Sequence, residues 1–183
     1  MKTIELTIIN KNESHLKDEM SRHYSQPKGF VGRSIIYSIN VDGIRYGTIV
    51  GGSSTLHLPG REVFFNGTIP NLNSIINNTF FHVEKVDGKY PVRNFTTEVV
   101  KEWRQRICVD WLAKYGDNVI AFETLVELPR SGELYLRDGW VLTGTTKGFT
   151  CKRVAGIGTD GWSGKRVWNK TELRPKNVFM RLV

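Results

Sequence analysis

No run of apolar residues in this sequence approaches the ~18–20 that a membrane-spanning helix requires, so no membrane span is expected. Its opening, MKTIELTIINKNES, lacks the continuous apolar core and cleavage signal of a secretory leader. Cysteine is scarce, and the two present, Cys108 and Cys151, have no metal-type spacing. Cys108 falls within a helical pattern and reads as a small buried hydrophobe. These features together place the chain in a reducing cytoplasm. There is no internal repeat, low-complexity tract or linker, so the 183 residues read as one domain, 1–146 as its core and 147–183 as a basic extension.

Acidic residues are also in deficit. Eighteen Asp and Glu face 26 Lys and Arg, for a formal charge of +8. Such a balance favours a polyanionic partner, nucleic acid before an acidic membrane surface or protein.

What is present is a mixed α+β pattern. Thr3–Ile9 alternates as a strand, and Asn12–Arg22 suits a helix with a thin stripe of Leu16 and Met20. Ser34–Val41 and Ile44–Val50 flank Asp42-Gly43, a hairpin signal. Residues 51–61 extend the loop after it, residues 66–78 read as loop or short helix, and Thr79–Val86 returns to strand. Phe95, Val99, Trp103, Ile107 and Trp111 recur every four residues and predict the longest helix over Phe95–Tyr115, with Asn94 as its N-cap and Gly116 as its stop.

The organising stretch is 119–146. Val119–Leu128 has the apolar, β-branched composition of a buried strand, and Pro129 ends it. Ser131 can cap a short helix over Gly132–Asp138, Gly139 suits its left-handed end, and Trp140–Thr146 forms another strand. Beyond Thr146, Lys147, Lys152, Arg153, Lys165 and Arg166 belong to a cationic tail interleaved with Trp162, Trp168 and Phe179. Cations can neutralise phosphates while aromatics stack on bases; alternatively the tail wraps on the body with its tryptophans as anchors.

Leu134-Tyr135-Leu136-Arg137-Asp138-Gly139-Trp140 resembles the LYxxxGF end of the GNAT acyltransferase fold, in which the tyrosine faces the reacting sulfur of the acyl donor. The order of predicted elements is also that of a GNAT-type domain, which implies a mixed central sheet flanked by helices. That family usually carries a Q/R-x-x-G-x-G/A loop before its long helix, where backbone amides hold the pyrophosphate of coenzyme A. Lys89-Tyr90-Pro91-Val92-Arg93-Asn94-Phe95 stands there instead, which argues against ordinary coenzyme A binding and leaves an acyl or aminoacyl-type donor undefined.

A narrower resemblance joins His23-Tyr24-Ser25, the loop with Pro27 and Gly29, the hairpin, Arg93-Asn94, Glu127 and Tyr135-x-x-x-x-Trp140. Together they look like the Mom family, phage DNA-modification proteins of a divergent GNAT branch that convert adenine to its N6-carbamoylmethyl form. Glu123–Glu127 also resembles a related domain from bacterial defence systems. By the Mom resemblance, His23, Tyr24, Glu127 and Tyr135 would gather at one catalytic site associated with iron, Glu127 replacing the family's usual Asp. Imidazole, phenolate and carboxylate are reasonable iron ligands, and without metal the same groups could move protons at an exocyclic amine.

For the residues alone, Tyr135 is equally a packed aromatic and His23 equally a loop histidine bonded to backbone. Ser53, Ser54, Lys85, Arg93 and Asn94 are candidates to hold an anionic donor. Lys28 and Arg33, with the tail cations, are candidate contacts to double-stranded DNA, whose target base would have to be flipped out. Adenine modification of DNA protecting it from restriction is therefore the leading expectation. A coenzyme A-dependent acyltransferase acting on a small molecule or protein, and a non-catalytic DNA-binding module, are the alternatives. Residues leave the oligomeric state open, a homodimer among the options.

Overall fold

The structure, a computed structural model, describes residues 3–154, 165–169 and 173–183. Its core is a seven-stranded sheet in the order β1-β2-β3-β4-β5-β9-β6. β1 (Ile4–Ile8), β2 (Ser34–Val41), β3 (Ile44–Ser53) and β4 (Ile75–Val83) run as an antiparallel series. The β2–β3 turn is Asp42-Gly43, both residues at positive φ, the twist a two-residue hairpin needs. β5 (Ala121–Glu127) lies parallel to β4, and β9 (Lys176–Leu182) is antiparallel to both β5 and β6 (Val141–Thr145). Outside this sheet, β7 (Thr150–Val154) and β8 (Lys165–Asn169) form a two-stranded antiparallel pair.

α3 (Phe95–Tyr115) covers one face. Its four-residue stripe, Phe95 to Trp111, is at most 1% exposed and packs on Ile35, Tyr37, Ile49, Ile76 and Phe122 from the sheet. α1 (Ser14–Arg22) covers the other face, where Leu16 meets Ile36, Val50 and Phe80. The short helices α2 (Arg61–Phe64) and α4 (Glu133–Arg137) follow β3 and β5. No helix among the described residues is long and apolar enough to cross a membrane.

Several local expectations change. β3 continues to Ser53, and β4 begins at Ile75, inside the stretch expected to be loop. Ile75 and Ile76 are fully buried, and the polar Asn77 and Asn78 beside them are buried too. Their side-chain amides donate to Thr55 Oγ1 and the Val50 carbonyl, distant in sequence, which no local pattern displays. Asn94 does not cap α3 with its side chain; it enters the helix in the left-handed region at φ 55°. Gly132, not Ser131, precedes α4, and the Ser131 Oγ accepts only a long 3.4 Å bond from the Glu133 amide. β5 and β6 are not neighbours, because β9 lies between them with Val178, Phe179 and Met180 fully buried. Phe179 is thus core rather than a surface platform for bases, whereas Trp162 lies outside the described residues.

Candidate active site

β4 and β5 keep parallel register over four pairs, from Ile75 opposite Ala121 to Asn78 opposite Thr124. Immediately beyond, the β3–β4 register jumps: Gly51 faces Asn78 but Val50 faces Phe80. Thr79 is the extra residue, a β-bulge that bends its strand and takes one residue out of the ladder. The separation of β4 from β5 beyond this point opens a cleft of about 530 Å³. Asn78 braces the distortion, its Nδ2 donating to the Val50 carbonyl at 3.1 Å. Thr124 Oγ1 donates to the Asn78 carbonyl at 3.1 Å, so both strands are tied at the point where they part.

The floor of the cleft holds Tyr135, 5% exposed, whose hydroxyl donates to Asn78 Oδ1 at 2.7 Å. Its position follows from α4. Gly132 starts that helix at φ +70° with its Cα against the Phe179 ring, where a Cβ would lie 2.5 Å from Cε2. Gly139 ends it at φ +77°, and the Tyr135 ring stacks on Phe179 at 5.9 Å. Asp138 accepts two bonds from the Arg104 guanidinium, at 2.7 and 2.8 Å, and one from the Trp140 indole at 2.8 Å. That clamp fixes α4 to α3. Burial pushes the Tyr135 phenol well above its ordinary pKa, with a side-chain hydrogen bond to Thr124 opposing. Tyr135 is therefore a proton-bearing group at neutral pH.

His23, Tyr24 and Arg130 form the opposite rim. The Arg130 guanidinium lies 3.6 Å from the Tyr24 ring centroid, and the His23 and Tyr24 rings are 4.2 Å apart. His23 Nδ1 accepts the Ser25 amide at 3.2 Å and lies 2.8 Å from the Ser25 hydroxyl. Burial lowers its pKa to about 4, with His82 and Arg130 adding repulsion and a backbone bond to Phe81 opposing. At pH 7 this imidazole is neutral. Burial raises the Tyr24 phenol, against the pull of Arg130 and a backbone hydrogen bond to Glu127. Glu127, half-buried, stands beside Tyr24 at the edge of the cleft.

The chain matches no family model, and no curated protein matches it. Its fold has clear counterparts among solved structures. A GNAT family acetyltransferase from Elizabethkingia anophelis with acetyl-CoA bound superimposes with a TM-score of 0.57 at 10% identity, covering 98% of both chains. A Bacillus subtilis acetyltransferase in complex with CoA gives 0.60 at 9% identity over 99% of both. The fold is that of the GNAT acetyltransferases. A third such protein, from Streptococcus pneumoniae, gives 0.51 at 10% identity over 99% of this chain and all of that one.

Within the GNAT frame, His23, Tyr24 and Tyr135 line one cleft, and Glu127 stands beside Tyr24 without lining it. The iron expectation is corrected. Among the described residues, no group of three or more His, Cys, Asp and Glu side chains could hold a metal ion. The argument against coenzyme A falls with it, since two structural counterparts hold acetyl-CoA or CoA.

The predicted donor-binding residues do not line the cleft. Ser53 Oγ accepts the Arg33 amide at 3.1 Å, and Ser54 Oγ accepts Arg61 Nη2 at 3.0 Å. Lys85 lies over the Tyr90 ring at 5.7 Å, while Arg93 and Asn94 are exposed at the entry to α3. Of the predicted DNA contacts, Lys28 is exposed, Arg33 is paired with Asp117, and Lys147 borders a second groove. Lys152 and Arg153 are on β7 and Lys165 and Arg166 on β8, with Arg153 opposite Arg166 in the register. Asn78, Thr79, Thr124 and Arg130 enter the site without having been singled out; the Asn77-Asn78 pair after two isoleucines was their only local signal.

Proposed function

We propose that this protein transfers an acyl group from an acyl-coenzyme A thioester to a nucleophilic acceptor. The observation that carries the reading is the cleft at the Thr79 bulge with a buried, protonated Tyr135 on its floor. Its volume is within the ~300–1,000 Å³ usual for ligand sites. When bound, the thioester supplies an activated acyl carbon and a sulfur leaving group.

The chain's own residues suit both ends of such a donor. Burial keeps the Tyr135 phenol protonated at neutral pH, and when the donor is bound that hydroxyl would be the group to give a proton to the departing sulfur. The bulge takes one residue of β4 out of the ladder, which frees its backbone groups for a carbonyl or amide of the ligand. Towards α3, Lys85, Lys89 and Arg93 put three cations in the segment before the helix. Asp87, Gly88 and Asn94 supply the left-handed backbone there, at φ 51°, 74° and 55°. The amides of Thr97 and Glu98 turn in to the Asn94 carbonyl, and the preceding N–H groups of a 21-residue helix have no partner in its ladder. A helix N-terminus of this kind favours a phosphate.

Calorimetric titration with acetyl-coenzyme A tests the reading, followed by thiol release in the presence of an amine panel. One-to-one binding with acceptor-dependent thiol release is the expected result. No binding up to millimolar donor would remove the acyltransferase reading.

DNA as acceptor is a second reading. The chain's formal charge of +8 favours it, because a basic protein attracts a polyanion. Nucleoside mass spectrometry of DNA from expressing cells, beside an empty-vector control, would reveal an adduct or leave this reading without support.

A further inference from the structure

A second concavity, of about 860 Å³, adjoins the cleft and shares Leu125 and Lys176 with it. It lies on the face of β5 turned away from α3, since Leu125 alternates with the α3-packed Phe122 and Val126. One wall is the segment 55–62, and the other is built where two crossing segments meet. The Thr146 amide donates to the Lys176 carbonyl at 2.9 Å, and the Lys176 amide donates to Thr146 Oγ1 at 3.0 Å. The Arg174 amide donates to the Gly148 carbonyl at 2.9 Å. Gly148, at φ +76°, lets the backbones of Arg174 and Pro175 approach too closely for any Cβ. The sequence thus separates Lys147 from Arg174 and Lys176 by more than 25 positions, and the backbone brings all three to one wall.

The charge of this groove is one-sided. Lys147, Arg174 and Lys176 line it, and Glu62 is the exposed carboxylate among its described residues. The other carboxylate beneath it, Glu123, is fully buried and neutralised by Arg61 at 2.6 Å, with the Thr55 amide also donating at 2.6 Å. Arg61 Nε is itself buried with no partner among the described residues.

We infer that this groove is the acceptor subsite and that it selects a small acceptor bearing a phosphate or carboxylate, held by Lys147, Arg174 and Lys176. The inference rests on the acyltransferase reading for its chemistry and on the groove's own cations for its selectivity. Leu125 and Lys176 are the shared edge, so an acceptor anchored by its anion would present its nucleophile to the cleft. Charge-assisted bonds from several cations favour phosphate or carboxylate over a neutral isostere. The concave volume is that of a small-molecule site rather than of a flat duplex footprint.

The test uses matched acceptors with acetyl-coenzyme A: O-phosphoethanolamine against ethanolamine, and glycine against glycinamide. At least one anionic member should exceed its neutral partner in kcat/KM by about tenfold or more, and the pair that does so tells phosphate from carboxylate. Arg174→Glu and Lys147→Glu, both at exposed positions, should erase the preference while leaving acetyl-coenzyme A affinity unchanged. Equal rates for charged and neutral acceptors, or variants that keep the preference, would overturn the inference. Binding of inorganic phosphate, followed by calorimetry in wild type and Arg174→Glu, separates the two proposals. Phosphate binding lost in the variant supports the groove even if acetyl-coenzyme A fails to bind, whereas no phosphate binding at millimolar concentration counts against it. A short DNA duplex that displaces phosphate from wild type would place nucleic acid there and overturn the small-acceptor assignment.

Discussion

Tyr135 Oη and Asn78 Oδ1 are 2.7 Å apart, one residue before the bulge that opens the cleft. The Tyr135 hydroxyl and the distortion are therefore held by the same side chain, Asn78. Tyr135→Phe should lower acyl transfer by about 10²-fold, the scale of a lost general acid, with donor affinity retained. It should also cost about 1–2 kcal/mol of stability, because the Asn78 oxygen loses its donor. Turnover and urea denaturation on one preparation read both; full turnover in a folded variant removes Tyr135 from the chemistry.

Gly132 sets where Tyr135 sits. Gly132→Ala places a methyl against Phe179 at a left-handed position, at a cost of about 1–3 kcal/mol. The expected signature is a fall in kcat larger than any change in donor affinity, since α4 must shift to relieve the contact. Wild-type kcat at this position would show that α4 does not govern the reaction.

The Arg61–Glu123 pair is 3% and 0% exposed at its side chains. Glu123→Ala leaves a buried guanidinium unpaired and should destabilise the chain by about 3–5 kcal/mol. Replacing both residues by Met should recover much of that loss. Chemical denaturation of the single and double variants checks the difference.

His23 gives a pH dependence of definite sign. Its folded pKa of about 4 is below the ordinary 6.5, so between those values the unfolded chain binds a proton that the folded chain does not. Its contribution to stability is complete above pH 6.5 and is lost as pH falls towards 4. His23→Gln should flatten the denaturation midpoint across this window; an equally steep profile would point to other groups.

The elements legible in advance were those encoded locally. The α3 stripe, the Asp42-Gly43 turn and the short helix carrying Tyr135, ended by Gly139, each depend on neighbours within a few residues, and the structure contains all three. Asn77 and Asn78 were illegible because their amides are satisfied by Thr55 and Val50, more than 20 positions away. The loop before α3 lacks the motif's glycines, yet Asp87 and Asn94 there adopt left-handed conformations that a pattern of glycines does not reveal. Iron came from the Mom resemblance, whereas among the described residues no group of three or more His, Cys, Asp and Glu side chains could hold a metal ion.

The insertion of β9 between β5 and β6 has a consequence for synthesis. Until Lys176–Leu182 has emerged from the ribosome, β5 has no partner along one edge, and α4 lacks the Phe179 ring on which Tyr135 rests. A nascent chain already carrying β4, β5 and α4 would still present an open hydrophobic edge, the kind of surface that invites pairing with other chains. Chaperone dependence should therefore be greatest for ribosome-stalled chains ending between β6 and β9, and the cleft is completed by a closing event rather than grown from its first strand.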